Sequence, residues 1–384
     1  MVVDNPAPAS PPRIAIFLST SGHSGVDRAM RHLIPALAGR GYQVDLLKVR
    51  RHGPDLRVLP DGVRVIDTGT STTYGALPAL VRYLRRERPA VLLADKDRVN
   101  RTALLARWLA GCVRCTHLVL SSGTTISVDL AHRGVVERFV QRLSMGWLYR
   151  FADQVIVTCE AVADDMSAYT GLPRAKIAAI ASPVVPASLF DAAPPRPQHP
   201  WFDTGAAPIV LGVGELSARK DFATLLRAFA LLRAEREAHL IIVGKGSERD
   251  ALQTLAHQLG IADDLWMPGF RDDVYSFMAH ASVFAMTSRW EGLGFVLIEA
   301  LACGTPSVAA DCPSGPAEVL DRGRVGALVP VGDAQALARA LTRMLDAPPT
   351  AAVCRDAARR YEIEAATDEY LRAMALPPRA GDAA

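Results

Sequence analysis

The chain has 384 residues, half of them hydrophobic and 22% charged, with a formal net charge of +3. This length suits two domains better than one core, and the composition is that of a soluble globular protein. So small a charge, with no block of Lys and Arg alternating with aromatic residues, argues against a nucleic-acid-binding protein. No apolar run reaches the length that spans a bilayer, which argues against an integral membrane protein.

The two ends of the chain and the cysteines point to the same compartment. Residues 1–12 lack the basic start and apolar core of a signal peptide, so they are predicted to be a disordered leader, and residues 377–384 a frayed tail. Cys112 and Cys115 form a CxxC pair without a second pair or a histidine partner, so zinc binding is not expected. Reduced thiols in a cytoplasmic protein fit best.

The first half of the chain alternates short apolar strands with helices, beginning with a strand over 13–19 and a helix over 26–40. Further strands are predicted at 43–49, 63–67, 90–94, 118–121 and 155–158. This alternation predicts a parallel sheet covered on both faces, and we assign it to a first domain over 13–182.

A proline-rich stretch over 183–207 is predicted to be a linker, and the pattern restarts in a second domain over 208–360. Strands are predicted there at 208–214, 239–243, 265–267, 282–287 and 307–310. The fold class is therefore α/β, with two doubly wound Rossmann-like domains facing across a cleft. Ligand sites in such sheets lie beyond the carboxyl ends of the strands.

The most informative segment is Trp290–Leu320, where Glu291 and Glu299 bracket a glycine-containing turn that leads into a helix. The turn comprises Gly292, Leu293, Gly294 and Phe295. Its glycines allow backbone N–H groups to approach an anion, and the helix N-terminus adds partial positive charge. Such a loop suits a diphosphate, while the flanking carboxylates suit the vicinal hydroxyls of a sugar.

Two other turns carry candidate residues. The loop after the first strand of the second half contains Arg219 and Lys220, cations placed to neutralise a leaving diphosphate. In the first half, Gly25 opens the first helix within Ser24–Arg28, where a glycine by itself indicates only a flexible N-cap.

These segments resemble the retaining glycosyltransferases of family 4, also called glycosyl transferases group 1. The resemblance implies the GT-B fold, with a final helix over 361–376 returning to the first domain. It implies that Glu291 faces the transferred sugar, that Glu299 faces the nucleotide ribose, and that Lys220 contacts the donor phosphates. The family's arginine position holds Glu215 here, so either Arg219 replaces the lost charge or the donor binds in a different position. The turn at Gly25 corresponds to one that approaches the donor phosphate.

Many relatives place a histidine after the strand that ends near Ser121, and this chain has none there. His117 and His132 lie nearby in sequence but not at that carboxyl end. In the mechanism usually proposed for the family, the departing phosphate oxygen takes the acceptor's proton, so activity does not require the histidine. The pairs at 95–97 and 272–273 resemble metal ligands, but the family implies transfer without metal, and the first pair instead suggests acceptor binding.

The resemblance therefore implies an enzyme that moves a sugar from a nucleotide diphosphate sugar to a hydroxyl of a glycan or lipid-linked acceptor, with retention of configuration. The expected role is synthesis of cell-surface polysaccharide or lipopolysaccharide. No cofactor is expected, because the donor is a co-substrate. Two alternatives stay open, a sugar-nucleotide 2-epimerase and a non-catalytic protein of GT-B fold that binds sugar nucleotides.

The segment 133–151 mixes four arginines with aromatic residues at helical spacing. Such a basic amphipathic helix could rest on an anionic membrane, where a lipid-linked acceptor would be found, at the inner face of the plasma membrane. A stripe that faces the core, with solvated arginines, explains the same pattern.

Overall fold

The structure is a computed structural model that describes residues 11–20, 24–50, 52–56, 58–131, 133–203 and 205–377. Most of the predicted leader (1–10) and tail (378–384) lies outside these ranges. The backbone divides into two compact units. The first contains the chain up to Thr158, Ala163–Pro183 and the segment from Ile363 onward, and the second contains Cys159–Val162 and Val184–Glu362.

Strands and helices alternate along the described chain. The strands are β1 (Arg13–Leu18), β2 (Gln43–Lys48), β3 (Val63–Asp67), β4 (Val91–Asp95), β5 (His117–Ser122), β6 (Gln154–Val157), β7 (Ile177–Ala179), β8 (Ile209–Val213), β9 (His239–Val243), β10 (Leu265–Gly269), β11 (Val283–Met286), β12 (Ser307–Ala310) and β13 (Ala327–Val329). The helices are α1 (Gly25–Gly39), α2 (Leu77–Glu87), α3 (Asp97–Leu109), α4 (Ile126–Asp129), α5 (Val135–Leu148), α6 (Glu160–Thr170), α7 (Ser188–Asp191), α8 (Phe222–Glu235), α9 (Arg249–Gln258), α10 (Val274–His280), α11 (Phe295–Ala302), α12 (Gly315–Val319), α13 (Ala334–Asp346), α14 (Ala351–Ala358) and α15 (Ile363–Ala373).

The first unit contains a parallel sheet with the strand order β3-β2-β1-β4-β5-β6-β7. The central strands are buried along their length because helices cover both faces and their sequences are almost wholly apolar. Helix α1 starts with a capping box, in which Ser24 accepts from the Asp27 N–H and Asp27 accepts from the Ser24 N–H. The strand order reverses between β1 and β4, which is where ligands bind in such sheets.

The second unit has the parallel order β10-β9-β8-β11-β12-β13, which reverses between β8 and β11. Its core joins residues of α8 and α13 to these strands, with Phe229, Leu225 and Leu341 fully buried. This unit therefore repeats the architecture of the first, with a second point of reversal.

The predicted α/β class is confirmed: both sheets are parallel and doubly wound. The predicted strands form with ends shifted by a few residues at most, whereas β7 and β13 were missed. Both missed strands have three residues and lie at sheet edges, so they are too short to show a period.

The predicted linker and the predicted final helix belong mainly to different units. From Val184 onward the proline-rich stretch groups with the second unit, where the N–H groups of Val184 and Val185 both donate to the Tyr361 carbonyl. Helix α15 belongs to the first unit, where Tyr370 and Leu371 enter the hydrophobic core. Arg40, the residue directly after α1, forms ion pairs with two residues of α15, Glu364 at 2.8 Å and Asp368 at 2.5 Å.

Candidate active site

Two loops leave the carboxyl ends of β8 and β11, the neighbouring strands between which the order of the second sheet reverses. The first loop runs from Gly214 to Asp221, and the second from Thr287 to Gly294. Backbone bonds join them, since the Arg289 N–H donates to the Arg219 carbonyl at 2.8 Å. The topology thus brings Arg219, Lys220 and Glu291 together, although about seventy residues separate them in sequence.

Glu291 is the centre of this cluster. Lys220 Nζ lies 2.5 Å from Oε1, Arg219 Nη1 lies 3.0 Å from Oε2, and the Ser288 hydroxyl donates to Oε1 at 2.7 Å. Burial, the largest single influence, raises the pKa of Glu291, but the Lys220 and Arg219 charges and the hydrogen bonds outweigh it and hold that pKa below its ordinary value. Glu291 is therefore an ionised carboxylate at neutral pH.

The two cations are fixed by the backbone around them. The Thr287 hydroxyl donates to the Lys220 carbonyl at 2.8 Å, and the next residue, Asp221, has a left-handed φ of 48°. Asp221 also pairs with Arg289 at 3.2 Å. The Lys220 side chain is only 10% exposed, whereas that of Arg219 is 33% exposed. Two cations share one carboxylate here, so the cluster keeps an excess positive charge that favours an anion.

The glycine turn that follows Glu291 delivers helix α11. Gly294 has a φ of 85°, a conformation that favours glycine, and its carbonyl accepts from the Leu297 N–H at 2.9 Å to start the helix. The neighbouring turn at Ser314–Glu318 packs directly on this loop, because a Cβ on Gly315 would lie 2.3 Å from Leu293 Cα. The loop is thus held rigidly in front of a helix N-terminus, an arrangement that suits phosphate.

Glu299 lies in the middle of α11 and is only 1% exposed. The Tyr275 hydroxyl donates to Glu299 Oε1 at 3.2 Å. A carboxyl on an otherwise apolar helix is uncommon and indicates a specific polar role. Ser288, Thr287 and Tyr275 were not predicted from the sequence, although two of them directly follow β11 and so lie at its carboxyl end.

The remaining predicted residues are placed as follows. Glu215 is exposed, and Arg219 pairs with Glu291. Gly25 is the first residue of α1 in the first unit. His117 begins β5, and its Nε2 lies 3.3 Å from the Ala373 carbonyl, so it is at the amino end of that strand. His132 lies outside the described residues.

One residue of each acidic pair has a cationic partner. Arg271 binds Asp273 through two bonds of 2.8 Å, and Arg101 binds Asp97 at 2.6 Å. In the described ranges, no group of three or more His, Cys, Asp or Glu side chains is arranged to hold a metal ion. The six cysteines, Cys112 and Cys115 included, are free thiols.

Two protein-family models match this chain. The model of "Glycosyl transferases group 1" matches residues 201–361, which include the whole cluster, and that of "Glycosyl transferase 4-like domain" matches 24–183. Together they span most of the chain. The chain belongs to the glycosyl transferases of group 1. The predicted family is thereby confirmed.

Individual relatives agree with this assignment. The chain is 37% identical over 184 residues to the lipopolysaccharide core biosynthesis glycosyltransferase LpsE of Rhizobium meliloti, a match over 46% of this chain and 52% of LpsE. It is 26% identical over 346 residues to a Campylobacter jejuni N-acetylgalactosaminyltransferase, whose name includes a diphospho-undecaprenol substrate, across 87% of this chain and 90% of that protein. The chain thus spans about half of LpsE but most of the Campylobacter enzyme.

Solved structures share the fold. The galactosyltransferase WaaB of the lipopolysaccharide outer core superposes with a TM-score of 0.74 at 18% identity, over 94% of this chain and 99% of WaaB. Anabaena HepE in complex with UDP-glucose also gives 0.74, at 20% identity, over 95% and 99% of the two chains. The fold of this glycosyltransferase is therefore of the GT-B type.

Proposed function

We propose that this glycosyltransferase moves a sugar from a nucleotide diphosphate sugar to a hydroxyl of a glycan or lipid-linked acceptor, with retention of the anomeric configuration. The observation that carries the proposal is the Arg219–Lys220–Glu291 cluster at the reversal point of the second sheet. It combines an anion site with a buried, ionised carboxylate beside it. The names of LpsE and of the Campylobacter enzyme support the acceptor class, and the HepE complex supports the donor class.

The chemistry follows from the charges. Lys220, Arg219 and the N-terminus of α11 would stabilise the negative charge that grows on the diphosphate as its bond to the sugar breaks. The acceptor oxygen bonds to the same face of the sugar carbon, and its proton passes to the departing phosphate oxygen. Glu291 would bind the transferred sugar, and Glu299 the ribose hydroxyls. These side chains supply the charge stabilisation directly, so we propose transfer without a metal ion or other cofactor.

A donor and acceptor panel tests the proposal. UDP-, GDP- and ADP-sugars are incubated with octyl glycosides of several sugars, and the product is followed by mass spectrometry and its anomeric configuration by proton NMR. We expect one nucleotide class to give a product with the donor's configuration and to raise the melting temperature. An inverted product would reject retention, whereas an isomerised or unchanged donor, with no transfer, would identify the epimerase or the non-catalytic binding protein.

We also propose that this enzyme acts at an anionic membrane surface, and the support for this comes from helix α5. Among the described residues no helix is both long and apolar enough to cross a bilayer. Yet one face of α5 exposes large apolar side chains at helical spacing: Val136 (77%), Phe139 (60%), Val140 (53%), Leu143 (57%) and Trp147 (63%). The expectation of a stripe that faces the core is therefore wrong for these residues, whereas Tyr149 is buried.

The attachment and the charge of α5 suit such a surface. The helix is anchored near its end, where Met145 is buried and a Cβ on Gly146 would lie 2.2 Å from the Thr170 carbonyl oxygen. Arg138 and Arg142 are exposed on the same helix, so anionic lipids would complement the apolar face.

Vesicle sedimentation tests this part of the proposal. We expect the protein to bind phosphatidylglycerol vesicles more tightly than phosphatidylcholine vesicles, with binding weakened by salt. The double variant Phe139→Ser, Trp147→Ser should lose binding, and the matched exposed pair Leu231→Ser, Val353→Ser in the second unit should not. Equal loss in both double variants, or no binding by the unmodified protein, would reject the membrane surface.

A further inference from the structure

Asp95 ends β4 in the first unit, next to β1, at the point where the strand order of the first sheet reverses. This position in the first sheet corresponds to that of the Lys220–Glu291 loops in the second. Ligands bind beyond the carboxyl ends of strands at such points. Asp95 is nevertheless only 3% exposed, so its carboxyl group has little access to water.

One oxygen of this carboxyl group has nothing to bind. Within the part of the chain that the structure describes, no donor reaches Asp95 Oδ1. Asp45 on β2, which lies on the other side of β1, shows how the same sheet treats a structural carboxylate: Arg13 (3.0 Å), Arg64 (2.7 Å) and Tyr83 (2.6 Å) all bind it. A buried carboxyl oxygen without a partner lowers the stability of the fold, so it points to a ligand rather than a folding role.

Several charged and titratable groups surround Asp95. Burial raises the pKa of Asp95, and the Asp27 charge raises it further. The hydrogen bond with the Ser121 hydroxyl and the Lys96 charge partly oppose this rise. Asp27 is itself occupied by the Thr20 and Ser24 hydroxyls. From α15, the pKa of Tyr370 is raised by burial first and then by the charges of Asp95 and Glu369, so Tyr370 stays neutral.

The backbone of the turn that follows Asp95 is strained, as is common at binding sites. Lys96 has a φ of 79°, which a residue with a side chain adopts at an energetic cost, and it is exposed. The turn thus follows the buried Asp95 with the exposed Lys96 at the carboxyl end of β4, directly before the N-terminus of α3. A hydroxyl donor would complete the hydrogen bonding of the carboxyl group.

We propose that Asp95 binds the sugar hydroxyl of the acceptor by accepting its hydrogen bond at Oδ1. This inference rests on the proposed function, since it assigns the acceptor of that reaction to the carboxyl edge of the first sheet. Asp95 then positions the acceptor, while the donor phosphate takes the proton. Because an ionised carboxylate accepts best, acceptor binding should weaken as the pH falls through the raised pKa of Asp95.

Steady-state kinetics on Asp95→Asn tests the assignment, with the octyl glycoside that the unmodified enzyme uses as the acceptor. We expect the acceptor KM to rise at least tenfold while the donor KM stays the same, and the pH dependence of the acceptor KM to flatten. The melting temperature should stay the same or rise, because an unpaired buried carboxyl group is removed. Asp45→Asn is the matched control and should lower the melting temperature without changing the acceptor KM.

An Asp95→Asn enzyme with a normal acceptor KM, or one that melts lower in the manner of Asp45→Asn, would overturn the inference and leave a structural carboxyl group. If the unmodified enzyme transfers to no glycoside, the proposed function fails instead. The melting temperatures of the two variants still judge Asp95 in that case, since that comparison needs no substrate.

Discussion

Replacing Lys220 with alanine tests the chemistry of the site and the stability of its ion cluster together. Lys220 Nζ lies 2.5 Å from Glu291 Oε1, and both side chains are about nine-tenths buried. Breaking a buried ion pair costs about 3–5 kcal/mol when the remaining charge is left alone. Here Arg219 at 3.0 Å and Ser288 at 2.7 Å still bind Glu291, so we expect a smaller loss of about 1.5–3 kcal/mol in the free energy of unfolding.

The effect on catalysis is separate. Loss of one charge-assisted bond to the leaving diphosphate should raise the barrier by about 1.5–3 kcal/mol, or reduce kcat/KM roughly ten- to a hundredfold. Rates are measured well below the melting temperature of the variant, so that unfolding does not contribute. Arg233→Ala, which breaks the pair with Asp264 (2.7 Å) elsewhere in the same unit, is the control and should leave the rate unchanged.

The stability of the Lys220→Ala variant should also depend on acidic pH in a different way from that of the unmodified protein. The pKa of Glu291 is held below its ordinary value of 4.5, so the ionised carboxylate contributes stability that is present above that value and is lost as the pH falls through the folded-state pKa. Without Lys220 that pKa should rise towards 4.5, so the loss of stability in acid should become smaller and should end at a higher pH. A Lys220→Ala enzyme with normal kcat/KM and an unchanged acid limb would refute the reasoning.

Three further predictions concern other parts of the protein. Glu299→Gln should raise the donor KM more than it lowers kcat, because a ribose contact is similar in ground and transition states, whereas Glu291→Gln should mainly lower kcat; identical kinetic profiles would contradict these roles. Initial rates should survive a strong chelator, and a complete loss that added metal restores would show a metal-dependent mechanism. Burial against Trp266 and Trp201 lowers the pKa of His199 and His239 from 6.5, so both stacks contribute stability above that pH and lose it as the pH falls below. Melting curves of His239→Asn should therefore depend less on pH between about 5 and 7, and equal slopes would exclude the histidine.

Much of the fold could be predicted because its signals are local. A buried parallel strand is a continuous apolar run, and the helices between the runs end at glycines such as Gly41 and Gly304, both with positive φ. The three-residue strands β7 and β13 escaped because their burial depends on neighbouring strands, which local sequence does not show. Tertiary contacts likewise decide that the stretch from Val184 onward groups with the second unit, and the stacking of Trp201 on His239 is one of them.

The site was predictable in part for a similar reason. The resemblance named Lys220, Glu291 and Glu299 from local motifs, but the pairing of Lys220 with Glu291 comes from the sheet order. Nothing local indicates that Arg219 and Lys220 share one carboxylate, since the distance between the loops is closed only by the adjacency of β8 and β11. The roles of these residues toward donor and sugar stay predictions.

The most direct test of the central claim is a crystal structure of the protein with the nucleotide diphosphate sugar that the panel identifies. We predict that the diphosphate lies at the carboxyl end of β8, against Lys220 Nζ and the N-terminus of α11, with the ribose hydroxyls on Glu299. The Lys220–Glu291 pair should lengthen as the phosphate takes the ammonium group. A diphosphate bound at another edge of the sheet, with that pair intact, would contradict the account.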